Sequence, residues 1–505
     1  MNSILTNLKS GIVVFLVALP LCLGIALACN VPLFSGILAG VIGGILVTTF
    51  SGSVLSVSGP AAGLTAIVIA AVASLGSYEI FVAAVAFAGV LQVVLGIIRA
   101  GSIGNYVPNA VIKGMLAGIG IILIMKQIPH LVGYDKDPEG DFDFIQPDGH
   151  NTLSDLYYMF NYISPGAVVI GLVSVVILII GERPFYKNNR VLSMVPAPLI
   201  VVIAGAALQV TFQNIPSLAI AAENLVSLPV INNFGDLKSN LAFPDFSALA
   251  QTKFWTVVVT LAIVASLESL LSVEAADKLD PKRRDSNSNK ELVAQGIGNM
   301  ACGMIGALPV TAVIVRSSAN INAGATNKLS AIFHALLLAL SVLLIPRILM
   351  LIPNSSLAAI LILTGYKLTK LELFRHHLKK GIDQFLPFVI TIAVMLLTDL
   401  LKGVGAGILV SVIFIIRSNI KTSFEIVKDE IDGHSTYLVK LPQHITFFNK
   451  GYLIKYLGTI KEGSTIIIDG TINKTTDKDV QDVLRDFVES APDKNIEIQL
   501  NKYTI

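Results

Sequence analysis

Long apolar runs recur along most of this 505-residue chain, and they constrain its fold more than any other feature. An α-helix needs about 20 mostly apolar residues to cross a bilayer, and most of the runs approach that length. Only 14% of the residues are charged, against about 25% in soluble proteins. The sequence therefore predicts an all-α polytopic membrane protein with fourteen transmembrane segments, near residues 9–29, 33–50, 59–75, 79–99, 106–128, 165–181, 196–214, 254–275, 291–307, 310–323, 328–345, 354–368, 382–398 and 403–418.

The charges between these runs predict the orientation of the chain. Lysine and arginine are concentrated in the loops after segments six, eight and twelve, and such residues mark cytoplasmic loops. We therefore expect a multi-pass protein of the cell inner (plasma) membrane, in contact with lipid, with both termini in the cytoplasm. The long loop after segment five fits an external position, because it carries the acidic residues Asp135, Asp137, Glu139, Asp141, Asp143, Asp148 and Asp155.

The character of the chain changes after about residue 425. Short apolar runs at 436–441, 465–469 and 496–500 alternate with charged residues, and a helical pattern covers 477–489. A tail of this size is below the usual domain length but long enough for a small α/β fold. We therefore expect a transmembrane domain at 1–425 and a small cytoplasmic α/β domain at 426–505.

Landmarks in the two halves of the membrane part recur in the same order. Pro60 lies 40 residues after Pro20, and Pro309 lies 41 residues after Glu268. A Val-Pro-Asn sequence ending at residue 109 is echoed by Ile-Pro-Asn ending at residue 354. Weak similarity of this kind is typical of transporters built from inverted repeats. The pattern predicts two repeats of seven segments, inverted relative to each other because seven is odd.

Two short segments that start at a proline, the third and the tenth, are the best candidates for a transport site. A helix that begins inside the membrane leaves its first N–H groups unpaired, and they carry partial positive charge. Two such helix starts would bind an anion without a dedicated basic side chain. The alternative is two ordinary proline-kinked helices. The candidate substrate-binding residues are Ser58, Gly59, Pro60, Ala61, Ala62, Gly63, Pro309, Val310, Thr311 and Ala312.

A single carboxylate, Glu268, lies within the eighth segment and is the only charge in residues 256–271. Such a residue is costly in a bilayer and suggests a function. Ser272 is four residues later, on the same helix face. Glu268, Ser272 and Thr311 are candidate oxygen ligands for Na⁺, or Glu268 carries a proton. The alternative is a structural carboxylate. We expect no other cofactor.

Four further polar residues lie within or near apolar segments. Arg316 follows Pro309 by seven residues, and it either raises the positive potential at the anion site or pairs with a structural partner. Lys126, His334 and Asp399 lie near segment ends. We interpret these three as interfacial residues with their polar groups directed to water.

Several of these motifs together resemble the SulP (sulfate permease) family of anion transporters. They are residues 18–26 (ALPLCLGIA), Ser58–Pro60, residues 267–272 (LESLLS), residues 309–311 and the Arg-Ser pair at 316–317. The resemblance covers roughly residues 1–420. It implies a core of segments 1–4 and 8–11, a gate of segments 5–7 and 12–14, an elevator-like motion between them, and a homodimer.

The tail resembles a STAS domain, the usual C-terminal module of this family. The strand at residues 466–469 (IIID) fits that module. Residues 473–476 (NKTT) depart from the Asp-Ser-Ser pattern of the family. The resemblance therefore does not imply regulation by phosphorylation through this domain.

The resemblance also suggests a substrate. The cyanobacterial bicarbonate carriers of the family have Asp and Thr at the positions of Glu268 and Ser272, and proton-coupled members tend to carry Glu. We therefore expect Na⁺-coupled bicarbonate uptake as a symport, with H⁺-coupled sulfate transport as the alternative. A further class is an uncoupled anion channel, and another is a nucleobase carrier. The motifs of an enzyme and of a nucleic-acid partner are missing from the sequence.

Overall fold

The computed structural model describes residues 2–135, 151–189, 195–228, 241–421, 424–431 and 434–503, and the single positions 144, 192 and 235. Five acidic residues of the loop after segment five, at 137, 139, 141, 143 and 148, lie outside this part. The chain divides into two compact units, Met1–Ile408 and Leu409–Ile505. A long helix at Leu400–Lys421 crosses the division.

Every predicted segment coincides with a described helix. Of the fourteen described helices that match predicted segments, seven are long and apolar enough to cross a membrane alone, and the other seven are shorter or more polar. The helices are α1 Asn2–Ala28, α2 Leu33–Phe50, α3 Thr65–Leu75, α4 Tyr78–Ile97, α5 Asn109–Leu131, α6 Pro165–Glu182, α7 Ala197–Phe212, α8 Thr252–Leu279, α9 Ser288–Ile305, α10 Ile314–Asn322, α11 Leu329–Leu344, α12 Asn354–Leu368, α13 Ile382–Leu397 and α14 Leu400–Lys421. Short connecting helices lie at Thr152–Tyr158, Pro184–Asn188, Pro346–Leu349 and Leu371–Lys379.

Local signals explain where several helices begin and end. The Ser77 side chain caps α4 by accepting a hydrogen bond from the Ile80 N–H, and Asn287 caps α9 in the same way through Lys290. Gly306 ends α9 with φ of +79°, a conformation that glycine adopts without steric cost. Helix α2 contains a π-helical turn at Gly43–Val47. Turns of this kind are frequent near functional sites.

Helix packing in the first unit shows the repeat. Helix α1 packs against α11, and its counterpart seven segments later, α8, packs against α4. Likewise α2 packs against α11, and α9 packs against α4. The fold therefore consists of two inverted sets of seven helices, as predicted from the sequence.

The same contacts sort the helices into a core and a gate. Helices α1–α4 and α8–α11 contact one another, and α5 packs against α12 and α13 in a second group that includes α6 and α7. Gly403 and Gly407 bring α14 against α13 in that second group. The core contains both short helices, α3 and α10.

The second unit contains a four-stranded sheet made, in spatial order, of β3 (Glu425–Ile431), β4 (His434–Lys440), β6 (Thr465–Asp469) and β8 (Glu497–Asn501). Strand β4 is antiparallel to β3 and parallel to β6, which is parallel to β8. Ile466, Ile468 and Leu484 lie in its buried apolar core. Its elements are β3 Glu425–Ile431, β4 His434–Lys440, β5 His444–Ile445, α15 Lys450–Leu457, β6 Thr465–Asp469, β7 Thr475–Thr476, α16 Lys478–Ser490 and β8 Glu497–Asn501. This small α/β arrangement fits a STAS domain.

Ile468→Ala is expected to destabilise the second unit. Ile468 is fully buried on β6, one of the two inner strands of the sheet, and removal of such a side chain typically costs about 2–5 kcal/mol. Hydrogen exchange of the full-length protein should become faster in β4, β6 and β8. Ile472→Ala is the matched control, because Ile472 is 62% exposed, and it should leave exchange unchanged. Equal exchange rates in both variants would contradict the assigned core.

Candidate functional site

The segments before α3 and α10 pair with each other as two short antiparallel strands, β1 (Ser58–Pro60) and β2 (Val310–Ala312). Ser58 lies opposite Ala312, and Pro60 lies opposite Val310. A residue before proline is biased towards extended backbone, which favours a strand at Gly59 in β1. Pairing also satisfies backbone groups that have no water partner inside a membrane.

This pairing corrects the predicted helix starts. The sequence predicts helix starts at Pro60 and Pro309, but Pro60 lies in β1 and Pro309 directly precedes β2. On the first side a 3₁₀ turn at Ala62–Leu64 leads into α3 at Thr65, and on the second side α10 begins at Ile314. The first helical N–H groups therefore belong to Ala62–Leu64 and to residues 314–316, two residues later than predicted on the first side and five residues later on the second.

A small cavity of about 30 Å³ lies where these two helix starts meet the gate. The core contributes the helix starts and two side chains of α8, and the gate contributes apolar side chains of α5, α13 and α14. A volume of this size holds one or two water molecules, so a larger anion requires side chains to move. The lining residues are Ala62, Gly63, Ile119, Ile122, Glu268, Ser272, Val313, Ile314, Val315, Met395 and Leu400.

Glu268 extends from α8 into this cavity beside the start of α3. Its side chain is buried, and its Oε2 atom lacks a hydrogen-bond partner among the described residues. The Gly63 backbone N–H donates to the carboxylate. A Cβ atom on Gly63 would lie 3.0 Å from Oε1, so this position leaves little room for a larger residue. Ser272 lines the same cavity one helical turn further on.

The structure therefore brings together four of the residues singled out in the sequence: Ala62, Gly63, Glu268 and Ser272. Their elements meet because β1 and β2 pair, which places the starts of α3 and α10 side by side against α8. Helix starts attract negative charge, and Glu268 attracts positive charge. The cavity therefore lies between groups that attract opposite charges, but its volume of about 30 Å³ is too small for a polyatomic anion without movement of the lining.

The other predicted site residues lie in the strands or beside them, outside the cavity lining. Thr311 is fully buried, and its hydroxyl donates to the Ala312 carbonyl at 3.3 Å. The Ala312 N–H donates to Ser269 Oγ at 3.3 Å, which fixes β2 to α8. The remaining predicted site residues also lie in the strands or beside them, outside the cavity lining: Ser58, Gly59, Pro60, Ala61, Pro309 and Val310.

Arg316 lies behind β1, not in the cavity lining. Its side chain is fully buried, and a Cβ atom on Gly59 would overlap its Nη1 atom. Apart from the neighbouring Cys22 thiol, the guanidinium has no hydrogen-bond partner and no carboxylate partner in the described parts of the chain. Its charge is therefore not neutralised by a described acidic residue and adds positive potential near the helix starts.

Two of the three residues interpreted as interfacial are buried instead. Lys126 is 6% exposed and His334 is fully buried, so that interpretation was wrong for both. His334 lies near Arg316 in the interior of the core, where α11 packs closely on Gly44 of α2. Asp399 is partly exposed and pairs with Lys402 at 2.8 Å, as expected of an interfacial residue.

Sequence reasoning missed a row of polar side chains on α9. Glu291, Gln295 and Asn299 are spaced four apart and are 0–2% exposed. Gln295 donates to Ser58 Oγ in β1, and Asn299 bonds the Val310 backbone in β2. The four-residue spacing, which places all three on one helix face, was the signal that could have found them.

The sequence profile of the sulfate permease family matches residues 4–394. A putative sulfate transporter of Bacillus subtilis, YvdB, is 28% identical over 415 residues, which cover 81% of this chain and 73% of that protein. The bicarbonate transporter BicA of Synechocystis is 25% identical over 443 residues, which cover 86% of this chain and 73% of that protein.

Two solved structures share the fold. The transmembrane domain of a cyanobacterial BicA superposes with a TM-score of 0.55 at 26% identity, and the match covers 79% of this chain and 97% of that one. SLC26A9 superposes with a TM-score of 0.68 at 15% identity, over 99% of this chain and 84% of that one. At that identity the second match shows the fold alone.

Proposed function

The chain belongs to the sulfate permease family of inorganic anion transporters, and on this premise we propose that it takes up bicarbonate together with Na⁺. The observation that carries the proposal is the position of Glu268, whose carboxylate shares one cavity with the starts of α3 and α10. The relatives of this chain are transporters, which confirms the prediction that the chain is not an enzyme. We propose that the candidate substrate-binding and cation-binding residues predicted from the sequence form the transport site of this chain.

The anion is favoured by the helix starts. The N–H groups of Ala62, Ile314 and Val315, in the first turns of the two helices, have no acceptor within their own helix and carry partial positive charge, and an anion satisfies them. Small residues at 62 and 63 let the anion approach the backbone closely. Arg316 contributes a full charge from behind the strands, which adds to the attraction.

A cation is needed at the site because the ionised carboxylate of Glu268 repels the anion. An anion and an ionised carboxylate about 4 Å apart repel each other by about 4 kcal/mol at an effective dielectric constant of 20. A cation on Glu268 removes that repulsion, so each ion strengthens the binding of the other by the same factor. Oxygen atoms of Glu268 and Ser272 suit Na⁺, and we also propose Thr311 as a ligand once the site widens.

The second candidate is H⁺-coupled sulfate transport. It is supported by the unpartnered Oε2 atom of Glu268, which protonation would convert to a neutral donor, and by relatives that are named as sulfate transporters. An uncoupled anion channel is disfavoured, because a buried carboxylate at the anion site would oppose conduction and serve no purpose.

We further propose that the core slides against the gate as an elevator, in a homodimer in the plasma membrane with both termini in the cytoplasm. The apolar gate residues Ile119, Ile122, Met395 and Leu400 support the sliding motion, because they present the core with a surface that forms no hydrogen bonds. The orientation rests on the basic loops described above.

Uptake by proteoliposomes tests the proposal. Labelled bicarbonate and labelled sulfate are each supplied at fixed pH, with and without an inward Na⁺ gradient. We expect bicarbonate uptake that the Na⁺ gradient stimulates by about tenfold or more, the factor that about 1.4 kcal/mol of coupling provides, and no sulfate uptake. Protein-free liposomes are the control. Sulfate uptake driven by an inward proton gradient and indifferent to Na⁺ would replace this proposal with the second candidate.

A further inference from the structure

A row of buried polar side chains on α9 lies outside the cavity lining described above. Glu291, Gln295 and Asn299 share one face of the helix, and none is more than 2% exposed. Buried polar groups in a membrane helix are costly and usually serve a purpose. None of the three lines the cavity, so their purpose is not contact with the transported ions.

This row holds both strands of the site. The Gln295 Nε2 atom donates to Ser58 Oγ of β1 at 2.8 Å and to Glu291 Oε1 at 2.8 Å. Asn299 binds the backbone of Val310 in β2 twice: its Nδ2 donates to the carbonyl at 2.9 Å, and its Oδ1 accepts from the N–H at 2.6 Å. One helix therefore fixes β1 and β2 through two adjacent turns.

Helix α9 is itself held tightly in the core. It packs closely on α4, where a Cβ atom on Gly296 would lie 2.6 Å from the Gly89 carbonyl oxygen. Asn299 also donates to Gln92 Oε1 of α4 at 2.7 Å, and Gln92 donates to Ser266 Oγ of α8 at 3.3 Å. The strands are thus attached to a rigid support that also carries Glu268 on α8.

We infer that Gln295 and Asn299 are positioning residues that set the register of β1 against β2, and thereby the spacing of the two helix starts that select the anion. Pro60 is two residues before Ala62, and Ala312 is two residues before Ile314, so a shift of either strand moves the N–H groups at the cavity. Anion size and charge are then selected by residues that never touch the anion. The inference rests on the proposed function.

Two variants of α9 and one matched control test it. Asn299→Leu removes both bonds to β2, and Gln295→Met removes the bond to β1 with little change in volume. Gln209→Leu is the control, because Gln209 is an equally buried amide on α7 without a described contact to the strands. The measurement is the half-saturation concentration for bicarbonate and for sulfate in proteoliposomes, normalised to folded protein.

We expect each α9 variant to raise the half-saturation concentration of the preferred anion by roughly tenfold, the factor that one lost buried hydrogen bond can supply. The ratio of the half-saturation concentrations for bicarbonate and sulfate should change as well. The control should keep the wild-type ratio. A purely structural role would lower the yield of folded protein and leave the ratio intact, which would overturn the inference. If Asn299→Leu does not fold, the ratio measured for Gln295→Met alone decides whether the inference holds. Failure of the wild-type protein to take up either anion would overturn the proposed function and this inference with it.

Discussion

Replacing Glu268 by glutamine is expected to abolish cation-driven anion uptake while the protein stays folded. Glutamine keeps the shape and still fits beside the Gly63 N–H, but it removes the negative charge that a cation requires. Interactions with a charged group are worth about 1.5–3 kcal/mol, so gradient-driven uptake should fall by roughly ten- to a hundredfold. Uptake of labelled bicarbonate with and without a Na⁺ gradient measures the effect.

The same helix offers a matched control for that variant. Glu274 lies six residues further on in α8, is partly exposed, and pairs with Lys278 at 3.0 Å. Glu274→Gln also removes one carboxylate from α8, but from a position outside the cavity lining, and should retain wild-type uptake. Cation-stimulated uptake of wild-type size by Glu268→Gln would rule out the coupling role of this residue.

Replacing Gly43 by alanine is expected to reduce transport strongly as well. Gly43 begins the π-helical turn of α2 and lies against β1, where a Cβ atom would overlap the carbonyl group of Ser58 and lie 2.8 Å from the Gly59 nitrogen. These are backbone atoms, so they cannot rotate away as a side chain would. The added methyl group must displace β1, at a cost of about 1–3 kcal/mol, and uptake should fall by roughly tenfold or more.

Gly405→Ala is the control for this second variant. Gly405 lies in α14 with no atom within 4 Å of the added Cβ, so alanine should leave uptake unchanged. It should also stabilise the helix by about 0.5–1 kcal/mol, the usual difference between the two residues. Thermal unfolding in detergent and proteoliposome uptake should be measured for both variants. Equal uptake by Gly43→Ala and Gly405→Ala would show that β1 tolerates displacement.

The sequence predicted the membrane architecture well because each segment carries its own signal. Apolar length identifies a helix in lipid without knowledge of its neighbours, and all fourteen predicted segments coincide with described helices. The family and the inverted repeat were also recognised from the order of a few motifs. The boundary between the two domains, predicted at residues 425 and 426, stays a prediction.

The details of the site were less accessible because they depend on contacts between distant residues. Pairing of Gly59 with Thr311 joins positions far apart in the chain. Because of this pairing, the predicted helix start at Pro60 lies in β1 and the predicted helix start at Pro309 lies directly before β2. Burial of Arg316 and His334 likewise depends on the packing of several helices. The roles of Glu268 and Ser272 in transport stay predictions, although the structure places both in one cavity.

The pairing of β1 with β2 also bears on how such a protein can change over evolutionary time. The two strands come from the two inverted repeats, yet they place unlike residues opposite each other: serine faces alanine, glycine faces threonine, and proline faces valine. Main-chain pairing of this kind tolerates drift in side chains, so each half can diverge while the junction persists. Weak resemblance between the halves is then the expected trace of a duplication. New substrate preferences can arise by mutation in one half while the other keeps its inherited form.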